Sequence, residues 1–532
     1  MSARGSIGSM MAATLVSRAL GFLKAALLVA AVGGSSATVG GQTFETANSA
    51  PTYLFALIAG GVLGAVLVPQ LVRNLNDGPA GQDNTDRLLT IVLVGGAAAT
   101  VVLTLCAPGI VWMYATPWSA PWRELATAMA YWCLPQIFFL ISFAVLSQVL
   151  NARGVFGAPA WAPAVSNLVG IGGIVVFLAL LPSGLGDVDS WSPLMVAVLA
   201  GSATLAIAVQ ALLLVIPLRR IGFQFRFRWG FRGLGQMSTL AGWTLVGVIA
   251  SQAAYLVTAN VANSAGATLH QLRIDGPSLN SFSMAYLLML LPHGIVTVSL
   301  TTALYTRMSR AAARNDLAET ENLSDLAKKP VAYVSIAASA GFIALGPLLT
   351  TVFFFGNPII GQVLQVLAIG LVGFSQAYLL NRTSFALQDA RGPFITQLVI
   401  AGISATAATA AALLLPPELI VIGIAVGISV ANFAGWFTAH LSLKRTFNTR
   451  GHLPDHHPAN RRRRTLLGYS RLLAAGLASS AVGTVLVTSV GIPDGFVGQA
   501  LLLAAAAVGV ATTFIGLTWL LGDRTWSALR RR

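Results

Sequence analysis

Fourteen apolar stretches, each about long enough to cross a bilayer, follow one another along the chain and leave little between them. They lie near 6–33, 51–74, 88–114, 124–150, 159–182, 191–217, 237–263, 279–306, 329–354, 360–386, 393–415, 418–443, 466–490 and 497–522. At about 1.5 Å of rise per residue, roughly 20 residues span a hydrocarbon core about 30 Å thick. The runs are near-continuous rather than alternating, which predicts helices. Composition removes the soluble alternatives. Of 532 residues, 56% are hydrophobic and 9% charged, with a mean hydropathy of +0.76, whereas soluble domains carry about 25% charged residues. The expected fold is an all-α polytopic membrane protein with about 14 transmembrane helices.

The net charge of +15 does not point to nucleic acid, because the cations punctuate the apolar runs instead of gathering on one domain. With the N-terminus inside, 27 of the 32 lysines and arginines fall on the cytoplasmic side and only Arg123 and Arg273 on the outer side. Positive residues stay cytoplasmic, so both termini are expected inside a bacterial inner membrane. The basic linker at 446–465 should lie against anionic lipid at about 1 kcal/mol per cation. Its His452, His456 and His457 lack a thiol or carboxylate cluster, so no metal site is expected there. Cys106 and Cys133 sit in apolar runs and read as core thiols. No cofactor is expected, and the short loops leave no room for a soluble catalytic domain.

The chain also repeats itself weakly at an offset near 237. Leu150-Asn151-Ala152-Arg153-Gly154 follows the fourth run, and Leu387-Gln388-Asp389-Ala390-Arg391-Gly392 follows the tenth. Val68-Pro69-Gln70 to Arg73 ends the second run, and Tyr305-Thr306-Arg307 to Arg310 ends the eighth. Six spans separate each pair, an even number that preserves orientation, so the halves should be parallel repeats. This divides the chain into an N-lobe at 1–235, a C-lobe at 236–445, the linker, and two further helices with a basic tail at 466–532. Two such lobes would enclose a cavity at the midplane. The last two helices either form a groove for a lipid tail or pack on one lobe.

Charge inside the first run is the strongest functional signal. Arg18 lies near mid-span, and Lys24 follows six residues later, about 9 Å along the axis. Each costs about 2.5–3.5 kcal/mol to insert, and no Asp or Glu is read at mid-span; Glu45, Glu124 and Asp389 sit near run ends. Two such cations suit a water-filled cavity that receives an anion, such as the diphosphate of a lipid whose tail stays in the bilayer. Arg offers a planar fork for phosphate oxygens and Lys a mobile point charge. Arg382, near the cytoplasmic end of its run, has snorkelling as its default and is a third candidate.

These residues resemble a known family, the MurJ (MviN) lipid II flippases of the MOP exporter superfamily. Ser17-Arg18-x-x-Gly21-Phe22 with Lys24 resembles its opening motif, and Ala47-Asn48-Ser49-x-Pro51 with Gly60-Gly61 and Val68-Pro69 its second-helix signature. Leu134-Pro135-Gln136, Asn151 to Arg153, Pro163 and Asn167 are similar to its fourth and fifth helices. Leu291-Pro292-x-Gly294 and Ala386-Leu387-x-Asp389-x-x-x-Pro393 are similar to later motifs. The resemblance implies 14 helices in two MATE-like lobes, alternating access, and a lipid-linked disaccharide-pentapeptide as substrate. It makes Arg18, Lys24, Ser17, Asn48 and Gln42 the expected substrate-binding residues, to which the charge reading adds Arg382. Pro51, Pro69, Asn151, Arg153, Asn167, Pro292, Gly294 and Asp389 become the expected structural or gating positions. Charged residues usual in the family align near Gln42, Phe55, Gly60 and Leu287, which carry none here.

Four alternatives stand beside this reading. One is export of another lipid-linked glycan. A second, a drug/cation antiporter, is disfavoured by the lack of mid-span carboxylates. A third, a membrane glycosyltransferase, needs an acidic catalytic residue on an early outer loop, where the chain offers only Glu45, with Asp187 and Asp189 later. The fourth is a scaffold that recruits cell-wall synthesis or division proteins without transporting, which should tolerate loss of Arg18 and Lys24.

Overall fold

A computed structural model describes residues 3–58, 78–180, 187–230, 239–451 and 458–522. Among these residues the structure is helical, without strands, and 13 helical segments are long and apolar enough to cross a membrane. The expected second run, 51–74, extends mostly into residues outside the described set, as do Gly60, Pro69, the three linker histidines and the expected lobe boundary near 235.

The chain divides into two compact units. Unit 1 holds Met1–Gln252 with Gly266–Asp275, and unit 2 holds Ala253–Ala265 with Gly276–Arg532. Unit 1 contains α1 (Ala3–Val32), α2 (Val39–Ile58), α3 (Gly78–Leu105), α4 (Ala107–Tyr114), α5 (Ala120–Cys133), α6 (Gln136–Ala152), α7 (Gly157–Leu180), α8 (Pro193–Leu212) and α9 (Val215–Arg220). Helix α10 (Thr239–Gln271) contributes to both units. Unit 2 continues with α11 (Leu279–Pro292), α12 (Val298–Ala313), α13 (Leu317–Phe353), α14 (Ile359–Ala386), α15 (Arg391–Leu414), α16 (Pro417–Thr449), α17 (Pro458–Val490) and α18 (Phe496–Leu520).

Several single runs are broken helices, and proline chemistry explains where. The 88–114 run bends at Cys106, with Pro108 in the first turn of α4, where its missing N–H costs nothing. The 124–150 run breaks at Leu134-Pro135 between α5 and α6. After Pro292, which supplies no amide and crowds the preceding turn, His293–Thr297 widens into a π turn. Helix α2 starts at Val39, so Glu45 stands within a helix rather than beside one. Asp83 and Asp86 likewise lie in α3, and Asp86 is fully buried.

Helix α13 begins a dozen residues before its apolar run. The Asp316 carboxylate accepts from the Glu319 amide at 3.0 Å, capping a polar first segment in which Lys328 pairs with Asp325 at 2.6 Å. Its 37 residues reach about 55 Å, well beyond the hydrocarbon thickness.

In unit 1, α7 packs between α1 and α8, while α5 and α6 both pack on α8 and α2. In unit 2, α14 is central, with α13, α16 and α11 against it. Helices α17 and α18 pack on α13: Leu502, Leu503, Ala506 and Val510 of α18 join Ala344, Leu345 and Leu348 in one cluster, and Phe514 meets Tyr333 at 5.0 Å. The last two helices therefore pack on α13 within unit 2.

The repeated turns differ in detail from their letters. After α6 the Gly154 amide donates to Asn151 and the Val155 amide to Leu150, with Gly154 at φ 78°. After α14 the Gln388 amide donates to Phe385 and the Asp389 amide to Ser384, with Gln388 at φ 57°. This is one C-terminal turn used twice, but Gly154 matches Gln388, an offset of 234 rather than 237. The starts of α7 at Gly157 and α15 at Arg391 share that offset.

Candidate functional site

Ser17, Gly21 and Lys24 recur at helical spacing and lie along the contact of α1 with α7. From α7, the Asn167 side-chain amide donates to the Ser17 carbonyl at 2.8 Å and to its hydroxyl at 3.4 Å. One turn further, the Lys24 stem crosses the bare backbone of Gly170. A Cβ at residue 170 would stand 2.9 Å from Lys24 Cδ, so any side chain there displaces the lysine. Lys24 is half-buried, and among the described residues no carboxylate pairs with it. Arg18 is also half-buried. Six residues place the two cations about 120° apart around α1, so they leave the helix on different faces.

Asn48 ties α2 to the break between α5 and α6. Its Oδ1 accepts from Gln136 Nε2 at 3.1 Å and from Cys133 Sγ at 3.9 Å. Pro51 is buried one turn on. Gln42 is fully enclosed and donates to the Ser36 carbonyl at 3.4 Å, so its side chain is turned into the protein. At one end of the unit, Arg153 donates to Gln82 Oε1 at 2.9 Å and lies 5.1 Å over the Phe223 ring; Asn151 is half-buried beside it.

In unit 2, Arg382 is exposed and held by aromatic faces. Its Nε donates to the Tyr378 hydroxyl at 3.1 Å, and its guanidinium stands 5.2 Å from the Tyr378 ring and 5.9 Å from that of Tyr305. Arg favours ring faces because the quadrupole attracts its charge while its edge donors remain available. Tyr378 in turn meets His293, at 5.1 Å between ring centroids. His293 follows Pro292, opens the π turn that contains Gly294, is buried, and bonds Ser375 Oγ at 3.0 Å.

His293 lies between Pro292 and Gly294, the expected positions, and its only mark in the sequence is a histidine directly after a helix-breaking proline. Asp389 is a helix cap. Its Oδ1 accepts from the amides of Arg391 and Gly392 at 2.9 and 3.2 Å, and its Oδ2 from Thr446 at 2.6 Å.

Also in unit 2, a cavity of about 410 Å³ opens among α13, α14, α16 and α17, lined by Ile336, Ile369, Val372, Phe433, Leu473 and Leu477, among others.

The family described as lipid II flippase MurJ matches residues 29–504, most of the chain, beginning just after Lys24. The chain belongs to the MurJ lipid II flippase family. Similar proteins include the probable lipid II flippase MurJ of Rhizobium meliloti (strain 1021), 26% identical over 487 residues covering 87% of this chain and 84% of that one. The lipid II flippase MurJ of Burkholderia cenocepacia is 25% identical, covering 71% of this chain and 72% of that one. A structure of lipid II flippase MurJ in an inward closed conformation matches with TM-score 0.69 and 17% identity over 95% of this chain and 98% of that one. An inward-facing MATE transporter of the MOP superfamily matches at 0.61 and 16%, over 81% and 96%. The two structural matches carry the MurJ/MATE-like fold. Phe55 and Leu287, at positions where the resemblance leads one to expect charge, are half-buried apolar residues in this MurJ-family chain.

Proposed function

We propose that this chain is a flippase that moves lipid II, a polyprenyl-diphosphate-linked peptidoglycan precursor, from the cytoplasmic to the outer leaflet by alternating access. Family membership across residues 29–504 carries this reading. The unit 1 geometry supplies its physical content. The diphosphate cannot enter hydrocarbon unaided, and Arg18 and Lys24 replace part of its hydration while the tail stays in lipid. Ser17 and Asn167 hold α1 on α7 so that the Lys24 stem keeps its place over Gly170. In unit 2, Arg382 keeps edge donors beyond the tyrosines and is a further candidate for binding a phosphate.

The apolar cavity walled by α17 accepts part of the isoprenoid tail. Both termini lie in the cytoplasm, as the distribution of cations requires. An inside-negative potential, about 2.3 kcal/mol per charge per 100 mV, assists outward passage of an anion. The protein acts as a transporter without covalent chemistry.

Apolar Phe55 and Leu287, where the resemblance leads one to expect charge, favour a second reading, in which a different lipid-linked glycan is carried. Reconstitution in liposomes decides between them. The first reading expects outward movement of lipid II to exceed that of other polyprenyl-diphosphate glycans. Faster movement of another glycan establishes the second, and movement of none removes the transport assignment.

A further inference from the structure

The stretch from Phe223 to Gly230 is not helical, yet it is closely held. Helix α9 ends at a left-handed Gly222 (φ 71°), with the Phe223 amide donating to the Leu218 carbonyl at 3.1 Å. The chain then runs along the first turns of α3. Gln82 Nε2 donates to the Gln224 carbonyl at 3.5 Å and to Asp86 Oδ1 at 3.3 Å. The Arg228 amide donates to Thr90 Oγ1 at 3.1 Å, and the Arg228 guanidinium pairs with Asp83 at 2.7 Å. Residues 224 and 228 thus tie the segment to α3.

In an extended chain, successive side chains point to opposite faces, which groups Phe223, Phe225, Phe227 and Trp229 on one face. Phe223 is buried under Arg153. The next three are 45%, 68% and 60% exposed, a comb of large rings at consecutive alternate positions, flanked by exposed Arg219, Arg220 and Arg226.

Two observations say what covers this comb. It is tied to the end of a membrane-spanning helix, so the boundary of the bilayer passes beside it, and aromatic rings concentrate at that depth because one edge is apolar and the other tolerates water. The cations alternate with the rings, which matches a surface whose apolar layer lies directly beneath anionic groups. We propose that Phe225, Phe227 and Trp229 insert into the boundary between acyl chains and head groups on the arginine-rich side of unit 1, while Arg219, Arg220 and Arg226 hold anionic phospholipid head groups. The segment fastens the cytoplasmic end of α3 to the membrane surface and makes this protein's behaviour depend on anionic lipid. This rests on the segment's own geometry, independently of which glycolipid is transported.

The test uses the full chain in nanodiscs of phosphatidylcholine, with and without phosphatidylglycerol, in a Cys106→Ser background; Cys133 is buried and stays. Spin labels at Phe225→Cys, Arg226→Cys and Phe227→Cys are read for collision with oxygen and with a water-soluble nickel chelate. Labels at 225 and 227 are expected to favour oxygen and the label at 226 the chelate. Free access of the chelate to 225 and 227 overturns the proposal, and so does shielding of both from either reagent, which would mean a protein contact. Arg219→Gln, Arg220→Gln and Arg226→Gln are each expected to weaken phosphatidylglycerol binding about fivefold, with elution and melting unchanged. Undiminished binding in the triple variant removes the head-group role.

Discussion

In unit 1, Lys24 runs its aliphatic stem across the bare backbone at Gly170, whereas in unit 2 Arg382 spreads its guanidinium between the rings of Tyr378 and Tyr305. Lysine has a flexible stem and a compact charge, so its position must be set by shape. Arginine has a planar head, so flat π faces can orient it. The first arrangement depends on the absence of one side chain on α7 and fails sterically. The second rests on two partly redundant contacts at an exposed site and fails gradually. A membrane protein can therefore fix a cation either by carving a slot or by furnishing a platform, and the two should respond differently to substitution.

The largest expected effect comes from filling the slot. Gly170→Leu should cost about 1–3 kcal/mol of stability through overpacking and lower transport roughly tenfold or more, read by thermal unfolding and by flipping in proteoliposomes. Gly170→Ala should be milder, because the Lys24 stem can bend away from a single methyl; equal damage from both would break the slot account. On the platform, Arg382→Ala should lower lipid II affinity about fivefold, and Tyr378→Phe, which keeps the ring and removes only the hydroxyl contact, should lower it less. If Tyr378→Phe matched Arg382→Ala, the hydroxyl rather than the ring face would be the orienting element. The smallest effect should be Asn167→Ala, about 0.6 kcal/mol for one interhelical hydrogen bond in a membrane protein, seen as a modest fall in melting temperature with affinity little changed.

The spans were legible because hydrocarbon thickness imposes its own length on the sequence, and 13 of the described helical segments meet that requirement. Their ends were less so. Residues 317–328 are rich in Glu and Asp and look like a loop, but Asp316 caps them and they continue α13 without interruption. The repeat was visible in the letters around Arg153 and Arg391, yet its geometric register is set by the left-handed residues Gly154 and Gln388, and glutamine gives no hint of that conformation.

Ser17, Arg18, Lys24 and Asn167 were expected from motif and burial cost, and the structure brings Ser17 and Asn167 into contact. The role of Gly170 could not be read, since a glycine among many reveals its neighbour only once α1 and α7 are packed. Tyr378 stands one turn before Arg382 and was within reach of helical spacing; Tyr305, on another helix, was not. The pairing of Asp83 with Arg228 joins residues 145 positions apart, which no local pattern encodes. Gln42, expected near the substrate through family alignment alone, is enclosed and bonded to Ser36.

The central claim is that positive charge on α1 carries the lipid diphosphate across. Its most direct measurement is the rate of lipid II flipping in proteoliposomes by Arg18→Gln/Lys24→Gln beside the unaltered chain, with matched elution and melting behaviour. The account predicts that the double variant loses flipping by roughly tenfold or more, each single variant losing part of it. Flipping by the double variant at the unaltered rate would contradict it.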